Sequence, residues 1–267
     1  MQLAMLCTVC LLPSSLALPL PREAGGMSEP QWKQAQDYLK RFYPTDSKTR
    51  GANSLEAKLK EMQKFFRLPV TGMLTSHTME IMQKPRCGVP DVAEYSPLAN
   101  RAKWTSNVVT YRVVSHTQDL PLVVVNQLLA KVLKMWSDEI PLTFKNVSWG
   151  TADIMILFGR RSHGDAFPFD GPGNILAHAF LPGRGFGGDA HFDDDEHWSY
   201  GSRRGVNLLS VATHEIGHSL GLLHSSDPNA VMNPTYRDVD PKNFRLSQDD
   251  INEIQKLYGK RNNSRTN

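Results

Sequence analysis

Apolar positions recur at helical spacing in two separate parts of the chain. Trp32, Ala35, Leu39 and Phe42 form one stripe, with Ser28 as a cap, Pro30 in the first turn and Pro44 as the stop. Ser54 opens a second helix carrying Leu55, Leu59, Met62 and Phe66 up to Pro69. A short third helix follows Thr75 and ends before Pro85. Further on, Val125, Leu128, Leu129, Val132, Leu133 and Trp136 stand at i, i+3, i+4 and predict a long amphipathic helix. Short runs at 108–114, 143–147, 154–158, 175–180 and 190–192 predict strands. Helices are predicted over 205–222 and after Ser247. This order gives an α/β (α+β) architecture. A small helical unit precedes a twisted, mostly parallel five-stranded sheet with three helices.

The chain has 267 residues, enough for one or two domains, and a net charge of +3 that points to no nucleic acid. Residues 3–12 are mostly apolar, and Ser15-Leu16-Ala17 offers a small-x-small cleavage site, although no Lys or Arg precedes the run. The run is too short to span a bilayer and no later one qualifies, so a secreted product is expected, not an integral membrane protein. Cys7 and Cys10 leave with that segment, and Cys87 remains as the lone thiol. The basic residues 260–265 read as a solvated tail or as a docking site for sulfated glycans. Asn146 and Asn262 each open an Asn-x-Ser triplet.

The richest chemistry lies in residues 214–224, His-Glu-Ile-Gly-His-Ser-Leu-Gly-Leu-Leu-His. Residues four apart on a helix differ by about 40° around its axis, so His214 and His218 can face one metal. Glu215 follows beside them as a general base. Gly221 allows the left-handed turn that ends a helix and brings back His224. Three imidazoles leave one corner of a zinc tetrahedron open, as catalytic sites do. Met232 follows closely as a soft apolar floor. The lone Cys87 thiol is a zinc ligand in search of a corner.

A second dense region spans 153–196. His163, Asp165, His178 and His191 form an N3O set suited to a closed structural zinc, or else a polar loop with scattered histidines. Asp170, Gly171, Gly173 and Ile175, with the carboxylates of Asp193 and Glu196, form an all-oxygen set suited to calcium.

Residues 85–91, Pro-Arg-Cys-Gly-Val-Pro-Asp, are similar to the cysteine switch of the matrix metalloproteinases, and 214–224 to that family's zinc motif. The resemblance covers essentially the whole chain. Residues 149–154, 169–174 and 255–261 resemble the shortest members, which lack hemopexin-like repeats. It implies a signal peptide at 1–17, a propeptide at 18–94 and a metzincin catalytic domain at 95–267. It implies two zinc ions, with the second on the His163 set, and about two calcium ions. Asp153, Gly185, Gly187 and Asp189 look similar to the further calcium site. Cleavage is expected at Glu94-Tyr95, with the new terminus pairing to Asp249 or Asp250. The implied protein is a monomeric, secreted zymogen that hydrolyses internal peptide bonds of extracellular proteins and is met by protein protease inhibitors. Arg86 and Asp91 are expected to pair.

Substrate is expected to lie along 175–180, where Ala177 and Ala179 permit close approach. The specificity pocket would be walled by Ser210 and by Pro234, Thr235 and Tyr236. The shortest members carry tyrosine at the positions of Ser210 and Asn233, so a deeper pocket is expected here. The family usually carries glycine where Arg67 stands. Three other readings remain open: a non-catalytic metal-binding module, an adhesion or glycan-binding protein, and another metzincin branch.

Overall fold

The computed structural model describes residues 26–44, 54–92, 102–201 and 204–262. The signal segment, the 94–95 junction and the end of the basic tail lie outside them. The helical unit comprises α1 (Glu29–Phe42), α2 (Leu55–Phe65) and α3 (Ser76–Met82). The Ser54 hydroxyl accepts the Ala57 N–H, the cap the sequence predicts, and the Thr75 hydroxyl accepts the Thr78 N–H at the start of the third helix. Position 67 has φ of 55°, the left-handed region that glycine fills without strain. Arginine occupies it here at a local cost.

The main sheet has six strands, not the five expected. In spatial order they are β1 (Arg86–Cys87), β5 (Ile175–Ala179), β6 (Ala190–Asp193), β4 (Ile154–Gly159), β2 (Val108–Val113) and β3 (Thr143–Asn146). Only β5 and β6 pair antiparallel. The extra strand, β1, comes from the segment after the helical unit. Two residues carry no readable period, so the pattern could not announce it. A small separate pair, β7 (Trp198–Ser199) and β8 (Val206–Asn207), escaped notice for the same reason.

Helix α4 (Leu122–Ser137) buries its whole predicted stripe. Helix α5 (Leu208–Ser219) is shorter than expected because Asn207 caps it, accepting the N–H of Leu209. All but one of its residues are buried, the exception being Ser210. The Trp136 indole donates to the Thr213 carbonyl at 3.1 Å and ties α4 to α5. Helix α6 (Gln248–Tyr258) begins at Ser247, as predicted. Arg261 beyond it donates to the Ile140 carbonyl at 3.0 Å, so this cation braces the end of the α4 region.

The sheet with its packed helices and the helical unit form two apolar clusters. Phe169 and Ile175 belong by sequence to the second half but pack into the cluster of the helical unit. Among the described residues, no helix is long and apolar enough to cross a membrane.

Candidate active site and metal centres

Helix α5 carries His214 and His218 on one face. The chain then reverses at Gly221, whose φ is 103°. A side chain there would bring its first carbon to 2.2 Å from the Ala102 carbonyl oxygen. The reversal returns His224 to the same point. Ligand atoms of Cys87, His214, His218 and His224 all lie within 4.8 Å of one another.

The hydrogen bonds fix which nitrogen each ring presents. His214 donates from Nδ1 to the Val231 carbonyl at 2.7 Å, and His218 from Nδ1 to the Leu222 carbonyl at 2.7 Å. His224 directs Nδ1 to Asp91 Oδ1 at 3.0 Å. All three Nε2 atoms therefore bear lone pairs, and these point at one another. His214 Nε2 lies 3.1 Å from that of His218 and 3.2 Å from that of His224. Cys87 Sγ lies 3.6 Å from His218 Nε2. Lone pairs facing at such distances repel unless a cation lies between them. A zinc tetrahedron with Zn–N of about 2.05 Å has N···N edges of about 3.3 Å, and with Zn–S of about 2.3 Å, N···S edges of about 3.6 Å. The donor set thus has the dimensions of a zinc site.

Burial shapes the protonation of the same groups. It lowers His214 and His218 to about 3 and His224 to about 4, so all three rings are neutral near pH 7 and free to ligate. It raises Glu215 to about 8, which the neighbouring Cys87 partly offsets. Both Glu215 carboxylate oxygens are buried with no hydrogen-bond partner. A carboxylate so placed is costly unless a charge or a reacting proton comes to it.

Met232 is buried beneath the helix. A first side-chain carbon at Gly217 would lie 2.3 Å from its sulfur and 3.1 Å from the Trp136 ring. The Asp250 carboxylate accepts the N–H groups of Val231 and Met232 at 2.9 and 3.0 Å and so holds this loop. Sequence reading singled out Met232 and Gly221 but missed Gly217, which looks like any residue between two ligands.

The segment 85–91 threads the cleft. Arg86 N–H donates to Asn174, Gly88 N–H to Ala177 and Cys87 N–H to Pro234, at 2.7, 2.8 and 3.0 Å. Tyr236 N–H donates to Pro85 at 2.8 Å. Arg86 is buried, over the Phe42 ring at 3.5 Å, and pairs with Asp91 and the Tyr38 hydroxyl. Burial opposes the Asp91 charge, but Arg86 and then His224 outweigh it and hold that carboxyl down to about 2. The sequence suggested the Arg86–Asp91 pair. It gave no sign that Asp91 also grips His224.

Ala177 and Ala179 lie buried on β5, with Cys87 opposite Ala177 in register. A cavity of 320 Å³ opens beside the cluster, lined by Ser210, His214, Glu215, Asn233, Pro234 and Tyr236, among others.

The second set converges on one carboxylate oxygen. Asp165 Oδ2 lies 3.0 Å from His163 Nε2, 2.7 Å from His178 Nε2 and 2.7 Å from His191 Nδ1. His163 spends its Nδ1–H on the Arg161 carbonyl at 2.9 Å, so its Nε2 lone pair faces an anionic oxygen. His178 Nδ1 is buried without a partner. Four buried ligand atoms that meet at one point, with the His163 lone pair set against a carboxylate oxygen, again suit a cation.

Among the described residues, only these two sets converge so tightly. Asp170, Asp193 and Glu196 instead accept backbone N–H groups of Ile175, Gly171 and Gly173, at 3.3, 3.3 and 2.6 Å. Burial, then the crowding of like charges, raises Glu196 to about 7 against the pull of Gly173. Arg161 takes the Asp170 carbonyl at 2.6 Å. Asp189 accepts the Met155 N–H at 2.9 Å, and burial raises it to about 6. The Asp153 carboxylate turns away to Thr110, at 2.7 Å from its N–H. Its carbonyl lies beside the 185–189 turn, 2.8 Å from the point a side-chain carbon at Gly188 would occupy. Residue 153 can therefore serve an ion there by its backbone, not by its side chain.

Residues 103–259 match the Matrixin family, and residues 28–82 match a family described as a putative peptidoglycan binding domain. The chain is 72% identical to human (Homo sapiens) matrilysin over 265 residues, covering 99% of each protein. It is 65% identical to mouse (Mus musculus) matrilysin over 262 residues, covering 98% of this chain and 99% of that one. Horse (Equus caballus) stromelysin-1 is 47% identical over 265 residues, covering 97% of this chain and 55% of the longer protein. The chain therefore belongs to the matrixins and is a secreted, zinc-dependent metalloendopeptidase of the extracellular matrix.

Proposed function

We propose that the protein is a latent endopeptidase in which residues 18–94 hold the active site shut. The observation that carries this reading is the Cys87 sulfur at the fourth corner of the tetrahedron defined by His214, His218 and His224. A zinc ion held by His214, His218 and His224 would supply an acidified water and a polarised scissile carbonyl. Once residues 85–91 leave, that corner and the Glu215 carboxylate open together. Glu215 takes the proton of the attacking water at a carboxylate oxygen and passes it to the leaving amine. In the closed state burial raises that carboxyl's affinity for a proton, and the departure of residues 85–91 relieves it.

The carbonyls of Asn174, just before β5, and of Ala177 on β5, which Arg86 and Gly88 occupy, become free for an extended substrate. Protein protease inhibitors would enter by the same edge. Ser210 and Pro234 wall the pocket that receives the residue after the cut, with Tyr236 behind them. Serine at 210 makes that pocket deep, so apolar residues such as Leu fit, and bulky aromatic ones are also accepted.

The remaining sites follow the same reasoning. His163, Asp165, His178 and His191 hold a structural zinc. Asp170, Gly171, Gly173, Ile175, Asp193 and Glu196 serve one calcium, and Asp153, Gly185, Gly187 and Asp189 a second. Asp250 is committed to the Met232 loop, so Asp249 is the partner for a new Tyr95 terminus. Because Arg261 is engaged, sulfated glycans would be met by Lys260 and Arg265. The enzyme acts as a monomer.

The test is digestion of an unfolded polypeptide by the activated enzyme, with cut sites read by mass spectrometry. Wild type should cut before apolar residues and stop when a chelator is added. Glu215→Ala should keep its zinc and lose roughly 10²–10⁴-fold in kcat/KM. Cutting that persists in chelator, or in Glu215→Ala, sinks the reading. Strong rejection of aromatic residues after the cut would remove only the deep pocket.

A further inference from the structure

Asn146-Val147-Ser148 and Asn262-Asn263-Ser264 have the acceptor pattern for N-linked sugar, while Asn233-Pro234-Thr235 is excluded by its proline. We propose that Asn146 carries an N-linked oligosaccharide, set by the fold on the sheet edge remote from the cleft. This rests on the secretory route, because the sugar donor is found there.

Asn146 is the last residue of β3, and both it and Ser148 are exposed. Asn233, by contrast, is buried. No hydrogen bond to a described residue engages the Asn146 side-chain amide. Beyond it the chain turns at Gly150, where φ is 77° and Arg112 holds the carbonyl at 2.7 Å. The acceptor triplet thus sits on a braced turn that needs no rearrangement to carry a bulky group.

Strand geometry gives the direction. Alternate residues share a face, so Asn146 projects on the side of Phe144, which packs against the core. Asn146 thereby opens onto a groove of 290 Å³ lined also by Arg112, Leu122, Asn126 and Val147. The groove mixes apolar and hydrogen-bonding surface, which suits the first sugar ring. Trp149, three residues on, is 82% exposed and presents an uncovered apolar face on the same turn.

Sheet order makes the modification compatible with catalysis. β3 is one edge, and β5, which lines the cleft, lies four interstrand steps away. At about 4.8 Å per step that is roughly 19 Å. The glycan would also cover an unpaired strand edge, the part of a sheet most prone to pair with another chain. In the transfer, the Asn146 amide nitrogen bonds to C1 of the sugar and loses a proton. The pyrophosphate of a lipid-linked oligosaccharide donor leaves.

The test uses the full chain, secreted by a mammalian cell line and collected as the latent protein. Peptides spanning Asn146 are mapped by mass spectrometry before and after peptide-N-glycosidase. In wild type the enzyme should convert Asn146 to aspartate and release a glycan. Asn146→Gln and Ser148→Ala should abolish that release from this peptide, and Ser148→Thr should raise occupancy. Activated Asn146→Gln should hydrolyse peptides at the wild-type rate. An unmodified Asn146 in secreted wild-type protein overturns the proposal, whatever the variants do. Loss of peptide hydrolysis in Asn146→Gln overturns its placement away from the cleft.

Discussion

The cluster around His214 takes three ligand atoms from residues 214–224 and the fourth from Cys87, which lies 131 positions before His218. The cluster around Asp165 takes all four from residues 163–191, on strands and loop of one domain. Both are buried, and both set lone pairs against one another. They differ in which chain segment closes them. The Asp165 cluster holds two ligands on β5 and β6 and two on the loop that joins β4 to β5, so all four stay together in one part of the chain. On the proposed reading, the His214 cluster would open when one two-residue strand, β1, lifts from the sheet edge. Such a switch would need no metal chemistry beyond that of a closed site, only a ligand on a removable segment.

Cys87→Ser is the strongest way to break that contrast. Serine is a poor zinc ligand, so the open cluster should lose its cover while the closed one is untouched. The full-length variant should cut itself, exposing Tyr95 as a new terminus, with zinc content unchanged at two per chain. Terminal sequencing and metal analysis check both halves. A stable, inactive Cys87→Ser protein would show that sulfur is not what closes the corner.

His178→Ala attacks the other side of the comparison. It should remove one zinc of two and release the 160–174 loop, which has no secondary structure of its own. The expected loss of stability is roughly 4 kcal/mol or more, as for other lost metal sites. Calorimetry and zinc analysis decide it. An unchanged melting temperature would mean that this cluster does not staple the loop.

Most of this was legible in the sequence where information is local. The α4 stripe, the caps at Ser54 and Ser247, the short helix after Thr75 and the helix carrying His214 and His218 all follow from spacing within one element. Cys87 was legible by elimination, as the thiol left after the signal. What stayed hidden is tertiary. Asp91 and His224 are 133 positions apart, and nothing in either neighbourhood names the other. Phe169 and Ile175 sit among metal-ligand candidates, yet they pack with the propeptide helices. The direction of the Asp153 side chain depends on where Thr110 falls in the neighbouring strand.

Asp91→Asn sharpens the contrast at the level of the ligands' own supports. His214 and His218 lean on carbonyls of the catalytic domain, whereas His224 leans on the propeptide. Removing the charge that orients a ligating imidazole typically weakens metal binding roughly 10–100-fold. Chelator competition on the latent protein should show a loss of that order. After trimming, wild type and variant are the same molecule and should retain zinc equally. Equal retention before trimming would reduce Asp91 to a partner for Arg86 alone.

Gly217→Ala is expected to have the smallest effect, and its sign is set by one contact. In a helix interior alanine is favoured over glycine by about 1 kcal/mol. Against this stands a carbon placed 2.3 Å from the Met232 sulfur, with the Trp136 ring at 3.1 Å. A methionine end can swing aside on a surface, but Met232 is 2% exposed and walled in. Overpacking of a tight core costs about 1–3 kcal/mol, so the net expected loss is up to about 2 kcal/mol by denaturant titration. The same substitution made in a Met232→Ala background meets empty space in place of sulfur. There the helix preference should win and the sign should reverse, a coupling that a double-mutant cycle measures directly. An equal cost in both backgrounds would mean that the sulfur is not what keeps position 217 bare.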